Sequence, residues 1–276
     1  MKKLIINLAP TGMVPTKQDN VHLPVSPEEI IADVLSCAEI GVSMAHLHVR
    51  DANGLPAYQK EIYAEIIAGI REKRPELVIV VSTSGRNFSE VEKRADVLKL
   101  AGKNKPDMAS LTLGSLNFMK TASVNDPDTI VELAKIMKAN GIKPELEIFD
   151  LGMVNYAKTL IQKGIIEPPF YFNIILGNIA SAQATLQHAG LILADLPADS
   201  ICSLTGIGSY QLPMHILAMA VTDGVRIGLE DNIWFDAERK IRGTNYMLVE
   251  RITKIATACG RQIADPGEVR SRLGLA

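Results

Sequence analysis

Two histidines one residue apart, His46 and His48, sit in the stretch AHLHVRD, with Arg50 and Asp51 directly behind them. On an extended strand, residues i and i+2 point to the same side. Two imidazoles side by side on an inward face each need a polar partner, and they repel if both are charged. A shared metal ion meets both requirements. The spacing alone fits equally well with one satisfied core histidine and one loop histidine. Glu230, at the end of the run GVRIGLED, offers a third ligand. Two neutral imidazoles and one carboxylate leave open positions on Zn²⁺, as catalytic rather than structural zinc requires. Iron or manganese takes the same donors. Read blandly, Glu230 is a surface acid or the cap of the next helix.

Arg226 lies four residues before Glu230, and Asp231 follows it. If the strand runs to Glu230, Arg226 and Glu230 share a face. An arginine beside a carboxylate holds it ionised and fixes its direction, so the group is either an oriented base or a structural ion pair. STSGR, from Ser82 to Arg86, follows a buried run and offers hydroxyls, backbone N–H groups and Gly85, which suit a carboxylate or phosphate. An ordinary strand-to-helix turn has the same composition. TGIGS (Thr205 to Ser209) is a similar, weaker pattern. Ser110, Thr112 and Ser115 alternate along an apolar strand as candidate hydrogen-bond donors. In PELEIFD, one of Glu145 and Glu147 is expected to point inward. Glu147 is chosen because it lies nearer the strand's C-terminal end.

Eight short apolar runs could position these residues: KLIINLAP, MAHLHVR, ELVIVVSTS, DMASLTLGS, ELEIFD, FYFNIILG, SICSLTG and GVRIGLED. Most are almost continuously hydrophobic, as parallel strands under helices are. Helix-period segments lie between them. Ser26, Pro27 and Glu29 spell a capping box. The last long helix is expected from about Ala237 to Cys259. No linker or composition break divides residues 1–276, so the expectation is one α/β domain, a (β/α)8 TIM barrel. A doubly wound sheet would want a glycine-rich turn after the first strand, and LAPTGMVPT is not one. In a barrel, chemistry gathers at the C-terminal strand ends, where all the residues above fall.

Composition narrows the partners. The chain has 29 Lys+Arg against 31 Asp+Glu, a net charge of -2, so no electrostatic case exists for nucleic acid or an anionic membrane. Cys37, Cys202 and Cys259 are sparse and form no CxxC, which fits a reducing compartment. The N-terminal apolar run is too short for a secretory signal, and no stretch approaches a membrane span. A cytoplasmic location is expected.

Together HLHVRD, PDMASLTLGSLNF, PELEIFDLGM, GIGSYQLPM and VRIGLEDN resemble the β-keto acid cleavage enzyme family over essentially the whole chain. The resemblance implies a zinc-bearing barrel that condenses a β-keto acid with acetyl-CoA, giving acetoacetate and a new acyl-CoA. It implies His46, His48 and Glu230 as metal ligands, Arg226 and Asp231 as catalytic residues, and Glu147 beside them. It implies Ser82 and Ser110 as substrate contacts, with Gly85 in the same loop and Thr112 where an asparagine is expected. Asp231 is expected to remove a methyl proton from acetyl-CoA. Members that act on 3-keto-5-aminohexanoate carry TGAE after the first strand, and the glutamate grips the ammonium. Here the motif is TGMV, so Val14 predicts a substrate with an uncharged tail. Family resemblance also implies a homo-oligomer, a tetramer. Two alternatives use the same ligands: a zinc hydrolase or metal-dependent aldolase, and a non-catalytic metal-bound barrel.

Overall fold

A computed structural model describes residues 2–276. Eight parallel strands close into a barrel: β1 (Ile5–Leu8), β2 (Met44–Leu47), β3 (Val78–Val81), β4 (Met108–Thr112), β5 (Lys143–Ile148), β6 (Phe170–Leu176), β7 (Ser200–Gly206) and β8 (Gly224–Ile227). Closure comes from β8 pairing with β1 in the register Ile5↔Gly224 to Leu8↔Ile227. After the strands in turn come α1 (Pro27–Ala38), α2 (Lys60–Lys73), the short α3 (Val91–Arg94), α4 (Pro127–Ala139), α5 (Leu151–Gln162), α6 (Leu186–Asp195), α7 (Gln211–Val221) and α8 (Asn245–Ala258). A final helix, α9 (Pro266–Leu273), follows. The (β/α)8 expectation holds.

The strands are rich in β-branched residues, which fit a pleated surface covered by helices. Their outward side chains, among them Ile6, Leu8, Leu47, Ile79 and Val81, pack on Ile30, Val34, Ile66 and Ile70 of α1 and α2. Inside the barrel the lowest layer is apolar: Ile5, Met44, Val78, Val80 and Met108 meet Val269 and Leu273 of α9, which plugs the N-terminal mouth. Above it the interior turns polar. Asn7, His46, Glu145, Asn173 and Ser203 are at most 1% exposed.

Local signals explain most element boundaries. The Ser26 capping box forms: its Oγ accepts from Glu29 N, and the Glu29 carboxylate accepts from Ser26 N. The last long helix differs from expectation. It starts at Asn245, not near Ala237, with the Thr244 Oγ accepting from Met247 N. Upstream, the Asp236 carboxylate accepts from the N–H groups of Lys240 and Ile241, wrapping that stretch into a loop. β8 also ends early, at Ile227 rather than Glu230. Gly228 turns the chain at φ 151, and a Cβ there would lie 2.0 Å from the Ala9 carbonyl oxygen. Among the described residues no helix is long and apolar enough to cross a membrane.

Candidate active site

The strand ends and following loops enclose a cavity of about 340 Å³ at the C-terminal face of the barrel. His46 projects from β2 and His48 follows it. Their Nε2 atoms face each other at 3.3 Å. Glu230 comes from the turn after β8 and places Oε1 3.2 Å from His48 Nε2. One ligand atom from each of the three lies within 4.8 Å of the others. The β1 loop closes over them at Gly12, which has φ 67 and where a Cβ would meet the Glu230 side chain at 2.5 Å. Only glycine allows both that conformation and that approach.

Glu145 stands beneath. Its Oε2 accepts from His46 Nδ1 at 2.6 Å, while Oε1 accepts from Asn7 Nδ2 at 2.7 Å and Asn173 Nδ2 at 3.2 Å. A carboxylate can only accept, so His46 carries a proton on Nδ1, and its Nε2 is the atom turned toward His48. Burial alone would raise the Glu145 pKa, but His46 and the Asn7 amide outweigh it and keep the carboxyl ionised. Expecting only one of Glu145 and Glu147 to point inward was wrong. Residues i and i+2 share a strand face, so both do, Glu145 deep and Glu147 at the cavity wall.

Arg226, from β8, is the hub of the wall. It is 2% exposed and reaches three carboxylates: Nη2 to Glu230 Oε1 at 2.6 Å, Nε to Asp231 Oδ2 at 2.9 Å and Nη1 to Glu147 Oε1 at 3.4 Å. Burial opposes its charge, but the surrounding carboxylates outweigh burial and raise its pKa. Glu147 is also held by Thr112 Oγ1 at 2.7 Å. The two acids beside Arg226 diverge. For Glu230, the attraction of Arg226 and His48 outweighs burial, so the pKa falls well below the usual carboxylate range. For Asp231, burial and the neighbouring Glu230 charge outweigh Arg226, so the pKa rises. One carboxylate is therefore a permanent anion and the other a proton acceptor of raised affinity. The backbone holds Asp231 too, since its carbonyl accepts from Gly208 N at 2.8 Å. The TGIGS motif thus uses an amide to fix this loop.

The residues fit a divalent cation. His46 Nε2 is directed by Glu145, and Glu230 Oε2 is buried with no hydrogen-bond partner. A nitrogen–nitrogen–oxygen donor set suits Zn²⁺ with positions left open. A second grouping, His46, Glu145 and Glu147, also lies within reach of one ion. There Glu145 already accepts from three donors and Glu147 from Thr112 and Arg226, so fewer lone pairs are left for an ion.

The predicted substrate contacts divide. Ser82, Thr112 and Val14 line the cavity, together with Met13, Ser84, Arg86, Leu116, Phe118 and Ile179. Ser110 and Gly85 do not. Ser110 lies behind the wall, where its Oγ accepts from Thr83 N at 3.1 Å. Gly85 packs so closely that a Cβ would lie 2.5 Å from the Val124 carbonyl and 2.9 Å from Arg94 Nη1. Asn7 and Asn173 are not singled out in the sequence, and Glu145 is weighed there but passed over for Glu147. Their signal is a polar residue at an inward position of an otherwise apolar run.

Known proteins match nearly the whole chain. The family model described as beta-keto acid cleavage enzyme matches residues 3–275. The 3-keto-5-aminohexanoate cleavage enzyme of Acetoanaerobium sticklandii is 35% identical over 276 residues, 100% of this chain and 99% of that protein. The 3-oxoadipate:acetyl-CoA acetyltransferase of Cupriavidus necator is 34% identical over 275 residues, 98% of this chain and 94% of that protein. Among solved structures, the ternary complex of ObcA with a C4-CoA adduct and oxalate superposes with a TM-score of 0.80, covering 92% of this chain and 68% of that chain. At 19% identity that likeness concerns the fold alone.

Proposed function

The chain belongs to the β-keto acid cleavage enzyme family, and from that premise we propose that it condenses a β-keto acid of uncharged tail with acetyl-CoA in a metal-dependent reaction. It is an enzyme that cleaves carbon–carbon bonds, and its relatives include acetyl-CoA transferases. The observation that carries the fuller reading is Asp231, a carboxyl of raised proton affinity oriented by Arg226, beside the His46–His48–Glu230 cluster.

The products decide which bonds change. Acetoacetate contains the acetyl group of acetyl-CoA and the CH₂–COO⁻ unit of the keto acid. The new bond therefore joins keto-acid C2 to the acetyl carbonyl carbon, with thiolate leaving. The thiolate sulfur then attacks the C3 carbonyl carbon, and C2–C3 breaks. The first proton to move is at C2, not on the acetyl-CoA methyl as the sequence reading expects. C2 lies between two carbonyl groups and is the more acidic carbon.

Asp231 Oδ2 is engaged by Arg226 Nε, while Oδ1 lies at 3.4 Å from Nη2 and is the freer oxygen. Oδ1 accepts the C2 proton and returns it when C2–C3 breaks. Arg226 stays charged throughout and keeps the acceptor aimed. A divalent ion held by His46, His48 and Glu230 would supply Lewis-acid polarisation of the substrate carbonyl. Leu116, Phe149 and Ile175 are the buried apolar part of the lining, and they limit the water that would otherwise hydrolyse a thioester.

Val14 supports the uncharged tail. It lines the cavity with Met13, Leu116, Phe118 and Ile179. The lining carboxylates, Glu147, Glu230 and Asp231, all pair with Arg226. Asp19 accepts from Thr16 instead. A tail ammonium would meet no free carboxylate.

The test is purified protein, acetyl-CoA and a panel of β-keto acids, with acetoacetate measured. Acetoacetate from at least one uncharged-tail member is expected. Metal-dependent hydrolysis or aldol cleavage without acetyl-CoA would replace this reading.

A further inference from the structure

Gln211, in the motif GIGSYQLPM, and His215, directly behind it, lie outside the cavity, yet both reach the segment that carries the site's acids. β8 pairs with β7 at Gly224 and Val225, opposite Ser203 and Leu204, while on its other edge the ladder to β1 continues to Ile227. Above Val225 the carbonyl groups on the β7 side need other donors. The segment joining β7 to α7 supplies them. His215 Nε2 donates to the Arg226 carbonyl at 2.6 Å, Gln211 Nε2 to the Gly228 carbonyl at 3.0 Å, and Gly208 N to the Asp231 carbonyl at 2.8 Å. A carbonyl only accepts, so the His215 proton sits on Nε2. Burial pulls its pKa down to about 4 and keeps the ring neutral. Gln211 and His215 are four residues apart on α7 and share one face of it. Both are at most 1% exposed. Gly206 lets the helix start this close, since a Cβ there would lie 2.4 Å from the Tyr210 carbonyl oxygen.

These bonds hold one acid more than the other. The Gly228 carbonyl also accepts from Asp231 N and Asn232 N, each at 3.3 Å. It closes the turn on which Asp231 stands, and Gln211 fixes its direction. Glu230 N turns the other way, to the Ala9 carbonyl at 3.3 Å, and Leu229 N donates to Asn245 Oδ1 at 2.8 Å. The backbone of Glu230 is thus tied to the β1 and α8 side, and that of Arg226 and Asp231 to the α7 side.

We propose that Gln211 and His215 are positioning residues for the proton transfer: through the Gly228 and Arg226 carbonyls they aim Asp231 along Arg226, independently of the hold on Glu230. The assignment rests on the reaction proposed above and adds the element that sets its proton acceptor.

The test compares Gln211→Met and His215→Leu, which keep bulk and remove the donor, with His215→Gln, which keeps a donor at nearly the reach of Nε2. The keto acid is the one that serves wild type best in the panel above. Both donorless variants are expected to keep their divalent ion and a KM for the keto acid near wild type. Their kcat and their enzyme-dependent exchange of C2 protons with deuterated water are expected to fall together by about 10- to 100-fold, the scale of a catalytic group misplaced by about an ångström. His215→Gln is expected to recover most of that loss. Crystal structures of the donorless variants should show the Asp231 carboxylate moved off Arg226 Nε and Glu230 in place. Wild-type exchange in both, loss of the ion along with exchange, an unmoved Asp231, or equal losses in His215→Leu and His215→Gln overturns the assignment. So does failure of both donorless variants to fold, which would make these bonds supports of the barrel alone. A displaced Asp231 in the variants, with no C2 exchange by wild type, leaves the positioning standing and overturns the proton path proposed above instead.

Discussion

At the residue scale, neighbouring carboxylates differ because their partners differ. Glu230 shares its Oε1 with Arg226 and His48, whereas Asp231 is buried beside the Glu230 charge. Asp231→Asn keeps the Arg226 contact geometry but cannot accept a proton. The expected loss in kcat is about 10²–10⁴-fold, as for a general base. Substrate binding should survive, and enzyme-dependent exchange of the C2 protons with deuterated water should disappear. Wild-type exchange in this variant would remove Asp231 from the proton path. The metal assignment makes a second prediction. His46→Ala, His48→Ala and Glu230→Gln should each lose bound divalent ion and activity together, measured by elemental analysis of the purified protein. Glu145→Gln should keep all three ligands yet weaken metal binding about 10- to 100-fold, because His46 loses the charged acceptor that orients it and raises its basicity. Full occupancy in all four variants would rule out this site.

At the element scale, the loop after β1 decides both the cover of the site and its selectivity. It is anchored from below by Arg50, whose Nη2 donates to the Gly12 and Pro15 carbonyl oxygens at 2.9 and 2.7 Å. Those bonds bracket Met13 and Val14 and present them to the cavity, with Val14 58% exposed at the open mouth. A carboxylate at position 14 would therefore face the substrate tail from a fixed loop. Val14→Glu is expected to shift relative kcat/KM from 3-ketohexanoate toward its 5-amino analogue by about 30-fold or more, the scale of a gained charge-assisted pair. A wild type that already prefers the amine by about tenfold, on the same scale, would refute the reading of Val14. Elements also account for the two predicted contacts that fall behind the wall. Ser110 alternates correctly along β4, yet the adjacent Thr83 backbone captures its hydroxyl.

At the scale of the whole molecule, closure of the barrel between β8 and β1 is tied by one amide. Asn245, at the start of α8, donates to the Pro10 carbonyl at 2.9 Å and to Asp33 Oδ2 at 2.6 Å, and its Oδ1 accepts from Leu229 N at 2.8 Å. Burial pushes the Asp33 pKa up to about 6 from 3.8, with the Asn245 hydrogen bond opposing. A raised folded-state pKa favours the fold below the unfolded value. That contribution is lost as pH rises from about 4 to about 6, where the buried carboxyl must ionise. Asp33→Asn can still accept from Asn245 and carries no charge. It is expected to exceed wild type in stability by about 3 kcal/mol at pH 8, with the difference vanishing near pH 4, read by urea denaturation. A difference independent of pH would show that Asp33 does not titrate in this range. The sequence by itself determined the alternation of apolar strands and amphipathic helices, and hence the barrel, because periodicity records which side of an element is buried. It also placed His46, His48, Arg226, Glu230 and Asp231 at strand ends. Only the tertiary structure decided that Glu145 and Glu147 both enter the barrel at different depths, that Arg226 joins Glu147 across 79 residues of chain, and that Arg86 faces the cavity while Gly85 does not. Periodicity along one strand reports direction but not height. Height comes from the stagger between paired strands, and pairing between distant strands exists only once the barrel has closed.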